Sequence, residues 1–302
     1  MVGTSNMPSW VYKLMLVLTT VIWGLSYTVM KDVMDVVEPG LLVGVRCTLS
    51  GVLLMALLWR RMRALCTRRA LWCGIALGVF DFAGSYLQTL GLTRTTPGIS
   101  AFLTATYCVI VPFAWWFVAR RKPTAFNIAA ALLALVGIWL VSVNAAGETL
   151  SMGFGEALTL VAAFMFALHM VFVSKFSRNH DVFVLTALQF LVEGALGFIV
   201  GACVETPPAA AELTALVVVQ LVFLTLLCTL ACFAMQNVSL AHVPPTQASL
   251  LLSLESVFGV LFSLLLFGER LSARLLVGFA LIFAAVLVSE APPPKRRTAS
   301  GG

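Results

Sequence analysis

Glu255 poses the sharpest chemical question in this chain, because it is a carboxyl near the middle of the apolar run 245–268. Ionisable groups at membrane depth are expensive, and they are functional candidates by default. Such an acid can hold a substrate amine, or take up a proton in competition with substrate. The plainer alternative is a helix-to-helix hydrogen bond that only fixes packing. A sequence repeat, described below, makes Tyr107 the counterpart of Glu255, on a helical face that also carries Ser100 and Thr104.

Other polar side chains fall inside apolar runs. Asp81, Gly84 and Gln88, at i, i+3 and i+7, mark a polar stripe, with Tyr86 on a neighbouring face. Gln236 is the repeat mate of Gln88, and either amide could bind a solute or join two helices. His169 reads first as a satisfied interhelical donor and second as a proton relay. Trp23, Ser26 and Tyr27 could form an aromatic wall, or anchor a helix end at the interface.

These residues need helices to position them, and composition supplies the class. Hydrophobic residues make up 61% of the 302 and charged residues 11%, against roughly 45–50% and about 25% in an average soluble domain. Apolar runs near the length of a bilayer crossing cover 14–30, 39–59, 70–92, 97–119, 126–144, 154–174, 182–203, 214–238, 245–268 and 272–290. Each is expected to be a helix, since backbone polar groups in lipid must be satisfied within the protein. The first run is expected to be a retained helix, not a cleaved leader. The seven cysteines show no metal spacing and read as small packing residues.

Residues 88–142 repeat 148 positions later as 236–290. Gln88 falls on Gln236, Leu92 on Leu240, Pro97 on Pro245, Leu103 on Leu251 and Leu133 on Leu281. Five helices per repeat is an odd number, so the second half enters the membrane in the opposite sense. Inverted repeats of this kind are the usual signature of a secondary transporter. Basic residues set the orientation. Arg60, Arg61, Arg63, Arg68, Arg69, Arg120, Arg121, Lys122, Lys175 and Arg178 fall in loops on one side, with Lys13, Lys295, Arg296 and Arg297 at the termini. Outer segments hold Lys31, Arg94, Arg270 and Arg274. The positive-inside rule therefore puts both termini in the cytoplasm. The net charge of +6 is a topology signal, and nucleic-acid binding is a poor reading.

With these residues in view, the chain resembles the EamA-type, ten-helix branch of the drug/metabolite transporter superfamily over residues 12–290. The resemblance rests on Trp23-Gly24 with Lys31, on Arg46, and on Leu92-x4-Pro97-Gly98-x-Ser100-Ala101. It also rests on Leu240-x3-Pro244-Pro245-x3-Ser249, Ser253-Leu254-Glu255 and Phe267-Gly268-Glu269-Arg270. One departure is Ser256, where the family often has proline. The resemblance implies that helices one, three, four, six, eight and nine surround a central cavity, with two, five, seven and ten outside. Arg46 and Glu193 then become structural residues at the periphery. With Ser253 included, the implied substrate-binding set is Glu255, Tyr107, Trp23, Tyr27, Asp81, Tyr86, Gln88, Thr104, His169, Gln236 and Ser253.

The expected fold is an all-α membrane protein of ten transmembrane helices, as two inverted five-helix repeats. Residues 1–147 form the first repeat, 148–290 the second, and 291–302 a disordered cytoplasmic tail. The expected function is alternating-access transport of small metabolites in a bacterial inner membrane, with export of amino acids or similar amphipathic solutes foremost. Sugars, nucleotide-sugars and drug-like cations are the alternatives, and an intramembrane enzyme or scaffold is a weaker one. No Gly-rich phosphate loop, metal-spaced histidine pair or G-x-S-x-G elbow is present. No catalytic residue, cofactor or metal is therefore expected. Expected partners are a small-molecule substrate, protons if transport is coupled, and the lipid bilayer, with the protein a monomer or homodimer. Cysteine labelling tests the topology: 145–153 is expected outside, and 60–69 and 291–302 inside. Labelling of 60–69 from the outer face would overturn both the helix count and the inverted-repeat argument.

Overall fold

The structure is a computed structural model, and it describes residues 7–120, 122–142, 153–267 and 273–290. Every regular element among them is helical. We number the long helices α1 (Ser9–Val33), α2 (Pro39–Leu57), α3 (Arg68–Leu92), α4 (Pro97–Ala119) and α5 (Ala125–Ser142) in the first half. The second half holds α6 (Phe154–Phe176), α7 (Val182–Val204), α8 (Ala215–His242), α9 (Pro245–Phe267) and α10 (Ala273–Glu290). Among the described residues, eight helices are long and apolar enough to cross a membrane: α1 to α4 and α6 to α9. The helices α5 and α10 have 18 residues each and pack against one another. The loop 145–152, the Glu269-Arg270 motif, Ser272 and the 291–302 tail lie outside the described residues.

Local chemistry sets the helix ends. Pro39, Pro97 and Pro245 occupy first-turn positions, where a missing N–H costs nothing and the ring's φ is already helical. Thr67, Thr96 and Thr214 accept N-terminal N–H groups at 3.1, 3.3 and 3.4 Å. Asp181 Oδ1 accepts two, from Phe183 and Val184, at 3.0 and 3.2 Å. At the far end of α1, Lys31 Nζ donates to Leu92 O at 2.6 Å, and to Thr93 O and Thr95 O at 3.2 Å. That cation closes the carbonyl end of α3, where positive charge is favoured.

Both α4 and α9 are interrupted near their middles. The first breaks after Thr104 and resumes at Tyr107; the second breaks after Leu252 and resumes at Glu255. Residues 105 and 253 both lie in the breaks, and they are related by the 148-residue offset of the sequence repeat. Side-chain hydroxyls satisfy the carbonyls loosened there. Thr106 donates to Leu103 O at 2.6 Å, Ser253 to Leu250 O at 2.7 Å and Ser256 to Ser253 O at 2.8 Å. A third irregularity is the π-helical stretch Leu224–Ala231 within α8.

Close packing is built on small residues, as expected where lipid removes the hydrophobic drive for helices to associate. The α2–α7 seam is the extreme case: a methyl group at Gly197 would lie 2.5 Å from Gly44 N. Glu205, at the end of α7, then caps α2 by accepting from Gly40 N and Leu41 N at 2.7 and 2.8 Å. At the α1–α9 crossing, a methyl on Gly24 would meet Phe258 Cβ at 2.5 Å. Gly197→Ala is therefore expected to lower the melting temperature of the detergent-solubilised protein by several degrees. Glu205→Ala should cost about 1–3 kcal/mol of stability, as expected for loss of a charge-assisted cap. Wild-type melting in both variants would mean that the seam is loose.

Candidate functional site

A cavity of about 50 Å³ lies among the interrupted helices, space for a few water molecules. Helix α1 lines it with Trp23, Ser26, Tyr27 and Met30; α3 contributes Ser85 and Gln88; α4 contributes Thr104 and Tyr107. Phe166, His169 and Met170 enter from α6, Cys228, Phe233 and Gln236 from α8, and Glu255 from α9. Arg46 reaches the wall from α2. The resemblance had implied a peripheral Arg46. Its helix packs chiefly on α7 and the π-helical stretch of α8, and the guanidinium reaches the cavity, where its Nη1 donates to Met30 Sδ at 3.3 Å.

Helix irregularity and cavity chemistry coincide. Tyr107 and Glu255 are each the first residue of the second piece of a broken helix. They lie side by side, yet Tyr107 Oη and Glu255 Oε1 are buried without a well-formed hydrogen bond. Gln236 Oε1 is also unpartnered. Buried polar groups are nearly always paired; Tyr107 and Glu255 have only one another within reach, so with Gln236 they leave polar atoms available to a molecule entering the cavity. Beside them Gln88 Nε2 is fully engaged, donating to Tyr27 Oη at 3.0 Å and Thr104 Oγ1 at 2.8 Å. Thr104 passes the chain on to Ser100 O at 2.9 Å. This network ties α1, α3 and α4 together along one wall. Opposite, Trp23 Nε1 donates to Cys228 O at 2.8 Å, fastening α1 to the π-helical stretch of α8. The Trp23 and Phe233 rings meet edge to face at 5.1 Å.

Three residues of the implied substrate-binding set do not line this cavity. Ser253 is fully buried, with its hydroxyl turned to Leu250 O inside its own helix break. Tyr86 is half-buried and stacks on Phe82 with ring centroids 5.6 Å apart. Asp81 lies behind the wall, fully buried, and its Oδ2 accepts from Gln189 Nε2 at 2.7 Å. Gln189 Oε1 in turn accepts from Asn237 at 3.2 Å and bonds His169 Nε2 at 3.0 Å. Because that oxygen can only accept, His169 carries its proton on Nε2. The polar stripe of α3 accordingly runs through Asp81, Ser85 and Gln88, while Gly84 faces the Phe166 ring.

The cavity residues not anticipated in the sequence are mostly apolar or weakly polar: Met30, Ser85, Phe166, Met170, Cys228 and Phe233. Nothing in their types distinguishes them from other residues of an apolar run. The buried Asp81 could have been paired with Glu193 only by knowing how α3 meets α7.

The sequence matches the EamA-like transporter family over residues 10–143 and again over 153–290. An uncharacterized transporter of Archaeoglobus fulgidus is 26% identical over 275 residues, which is 90% of this chain and 83% of the relative. The S-adenosylmethionine/S-adenosylhomocysteine transporter of Chlamydia muridarum is 24% identical over 292 residues, 90% of each protein. A solved crystal structure superposes with a TM-score of 0.74, covering 92% of this chain and 97% of its own at 17% identity, and so shares the fold. A chain matched along nearly its whole length, whose irregular helices converge on an internal polar cavity, belongs to the EamA-like transporter family.

Proposed function

We propose that this protein is an alternating-access carrier of zwitterionic amphipathic solutes, amino acids and their derivatives foremost, and that it exports them across a bacterial inner membrane. The carrying observation is that Glu255 and Arg46 line one aromatic cavity from two different helices. An ammonium group is complementary to the Glu255 carboxyl. A carboxylate is complementary to the Arg46 guanidinium, whose planar fork suits it. Trp23, Phe166, Phe233 and the Met30 and Met170 thioethers offer an apolar lining that adapts to different side chains. A diphosphate-bearing solute fits less well, since Arg46 is the one Lys or Arg of the lining. The relative named for S-adenosylmethionine, itself an amino-acid derivative, lends the reading further support.

In this reading α5 and α10 complete ten spans, and the halves 1–147 and 148–290 are inverted repeats. Support comes from the paired helix breaks and from the two successive family matches. Rocking of one half against the other would open the site to each side in turn. The basic loops support cytoplasmic termini. The direction of transport rests on family likeness.

Counterflow in proteoliposomes tests the class. Radiolabelled amino acids and S-adenosylmethionine should include a solute that equilibrates faster, saturably and without nucleotide. Leak across the whole panel, with turnover of a lipid-linked compound instead, would remove the transport reading. Within the site, Glu255→Gln keeps volume and hydrogen bonding but removes the charge. It should abolish transport of amine-bearing solutes while leaving thermal stability near wild type. Tyr107→Phe should weaken apparent affinity by up to about tenfold, the loss of one hydrogen bond worth roughly 0.5–1.5 kcal/mol. If Glu255→Gln transports normally but folds poorly, the acid is packing glue.

A further inference from the structure

Behind the cavity wall lies a second polar cluster, and its parts do not add up without another component. Asp81 of α3 and Glu193 of α7 are both 0% exposed. Their carboxyls lie within hydrogen-bonding reach of one another, and Ser85 is beside Glu193. Asp81 Oδ1 and both Glu193 oxygens lack a well-formed hydrogen bond, with the Ser85 hydroxyl and the Cys47 thiol the donors nearest Glu193. The resemblance implies a structural Glu193 at the periphery. Instead α7 is drawn onto α3 where Gly74 and Gly78 meet Leu188 and Val192, and this contact carries Glu193 to Asp81.

Two carboxylates cannot share a contact in a dry interior, since both are acceptors and both are negative. One proton removes the conflict. It turns one acid into a donor for the other and leaves a single negative charge facing the single positive charge of Arg46. Ser85 and Cys47 offer Glu193 neutral donors, which leave the charge of the acid pair unchanged. From α2 come Arg46, whose Nε is unpartnered, and the thiol of Cys47. From α6, His169 turns its protonated Nε2 to Gln189 and leaves Nδ1 3.9 Å from Asp81 Oδ1, too far for a hydrogen bond. From α8, Asn237 donates to Gln189 and Thr186, and Cys228 lies across the cavity wall. Glu255 and Tyr107 sit beyond on α9 and α4.

We propose that Asp81 and Glu193 form a proton-binding site, distinct from the solute site at Glu255, and that the proton held there strengthens solute binding by freeing Arg46. Arg46, Ser85 and His169 belong to both sites, because they line the cavity and border the acid pair. When the proton leaves, the pair gains a charge and competes with the solute carboxylate for Arg46. When it returns, Arg46 is released to the solute. Proton and solute thus favour one another's binding, each by the same factor. The coupling rests on the transporter reading above. The proton site does not.

Infrared difference spectroscopy of the lipid-reconstituted protein, with protons and deuterons as the probe, reads the site without any solute. The wild type should show a carboxylic-acid carbonyl band that titrates as one group. Asp81→Asn and Glu193→Gln should each abolish that same band, whereas Glu255→Gln leaves it. A wild type without such a band, or one whose band survives in Glu193→Gln, overturns the shared-proton site. Thermal melting of each variant is measured alongside; if Asp81→Asn fails to fold, Glu193→Gln alone decides. For a solute identified by counterflow, apparent affinity in wild-type liposomes should rise as pH falls through the range in which the acid band titrates. That rise should vanish in Glu193→Gln. An unchanged pH dependence overturns the coupling while leaving the proton site to the spectra. Failure of the whole solute panel would instead remove the transport reading and leave the spectral result standing.

Discussion

A helix that stops and restarts in the middle of a bilayer must find partners for the carbonyls it releases, and this need organises the centre of the molecule. Lipid supplies no hydrogen bonds, so irregular backbone survives at that depth only where protein or an internal cavity receives it. The breaks in α4 and α9 are closed by the hydroxyls of Thr106, Ser253 and Ser256. The π-helical stretch of α8 gives Cys228 O to the indole of Trp23. Residues from all three irregular segments line the cavity. The site exists because the backbone is interrupted there, and the interruptions persist because small polar side chains complete them.

The small-residue seams serve the same end by different means. Where α2 meets α7, the two backbones touch at Gly44 and Gly197. Helices drawn so close bring long side chains further inward than the family resemblance implies. Arg46 and Glu193 both benefit. The resemblance puts both on outer helices, and each is buried at the polar centre. The Glu205 carboxylate locks the outer end of this seam by satisfying α2's first N–H groups. The α2–α7 pair is therefore fixed in register at the end and in spacing along the middle.

Much of this was legible in the sequence, and the remainder was hidden for identifiable reasons. The apolar runs, the prolines that open α4 and α9, and the offset linking Tyr107 to Glu255 are local signals, and each corresponds to a described feature. Ser253 joined the candidate set through the motif it shares with Glu255, but a hydroxyl in a helix break bonds its own backbone first. The stripe on α3 was drawn through Gly84 when it runs through Ser85, because i+3 and i+4 are equally good neighbours on a helix. Arg46 and the partnership of Asp81 with Glu193 depend on how near two helices approach. Glycines permit such an approach without announcing it.

The π-helical stretch also acts as a phase adjuster for α8. At about 100° per residue, an unbroken α-helix would set Cys228 and Gln236 roughly 80° of arc apart. A π turn holds more residues and rotates less per residue, so passing through Leu224–Ala231 closes part of that gap and swings both residues onto the cavity side. Removing one residue from the stretch would restore a tighter coil and turn one end of α8 away from the other. The length of that segment, more than the identity of any one of its apolar side chains, determines which face of α8 the cavity meets.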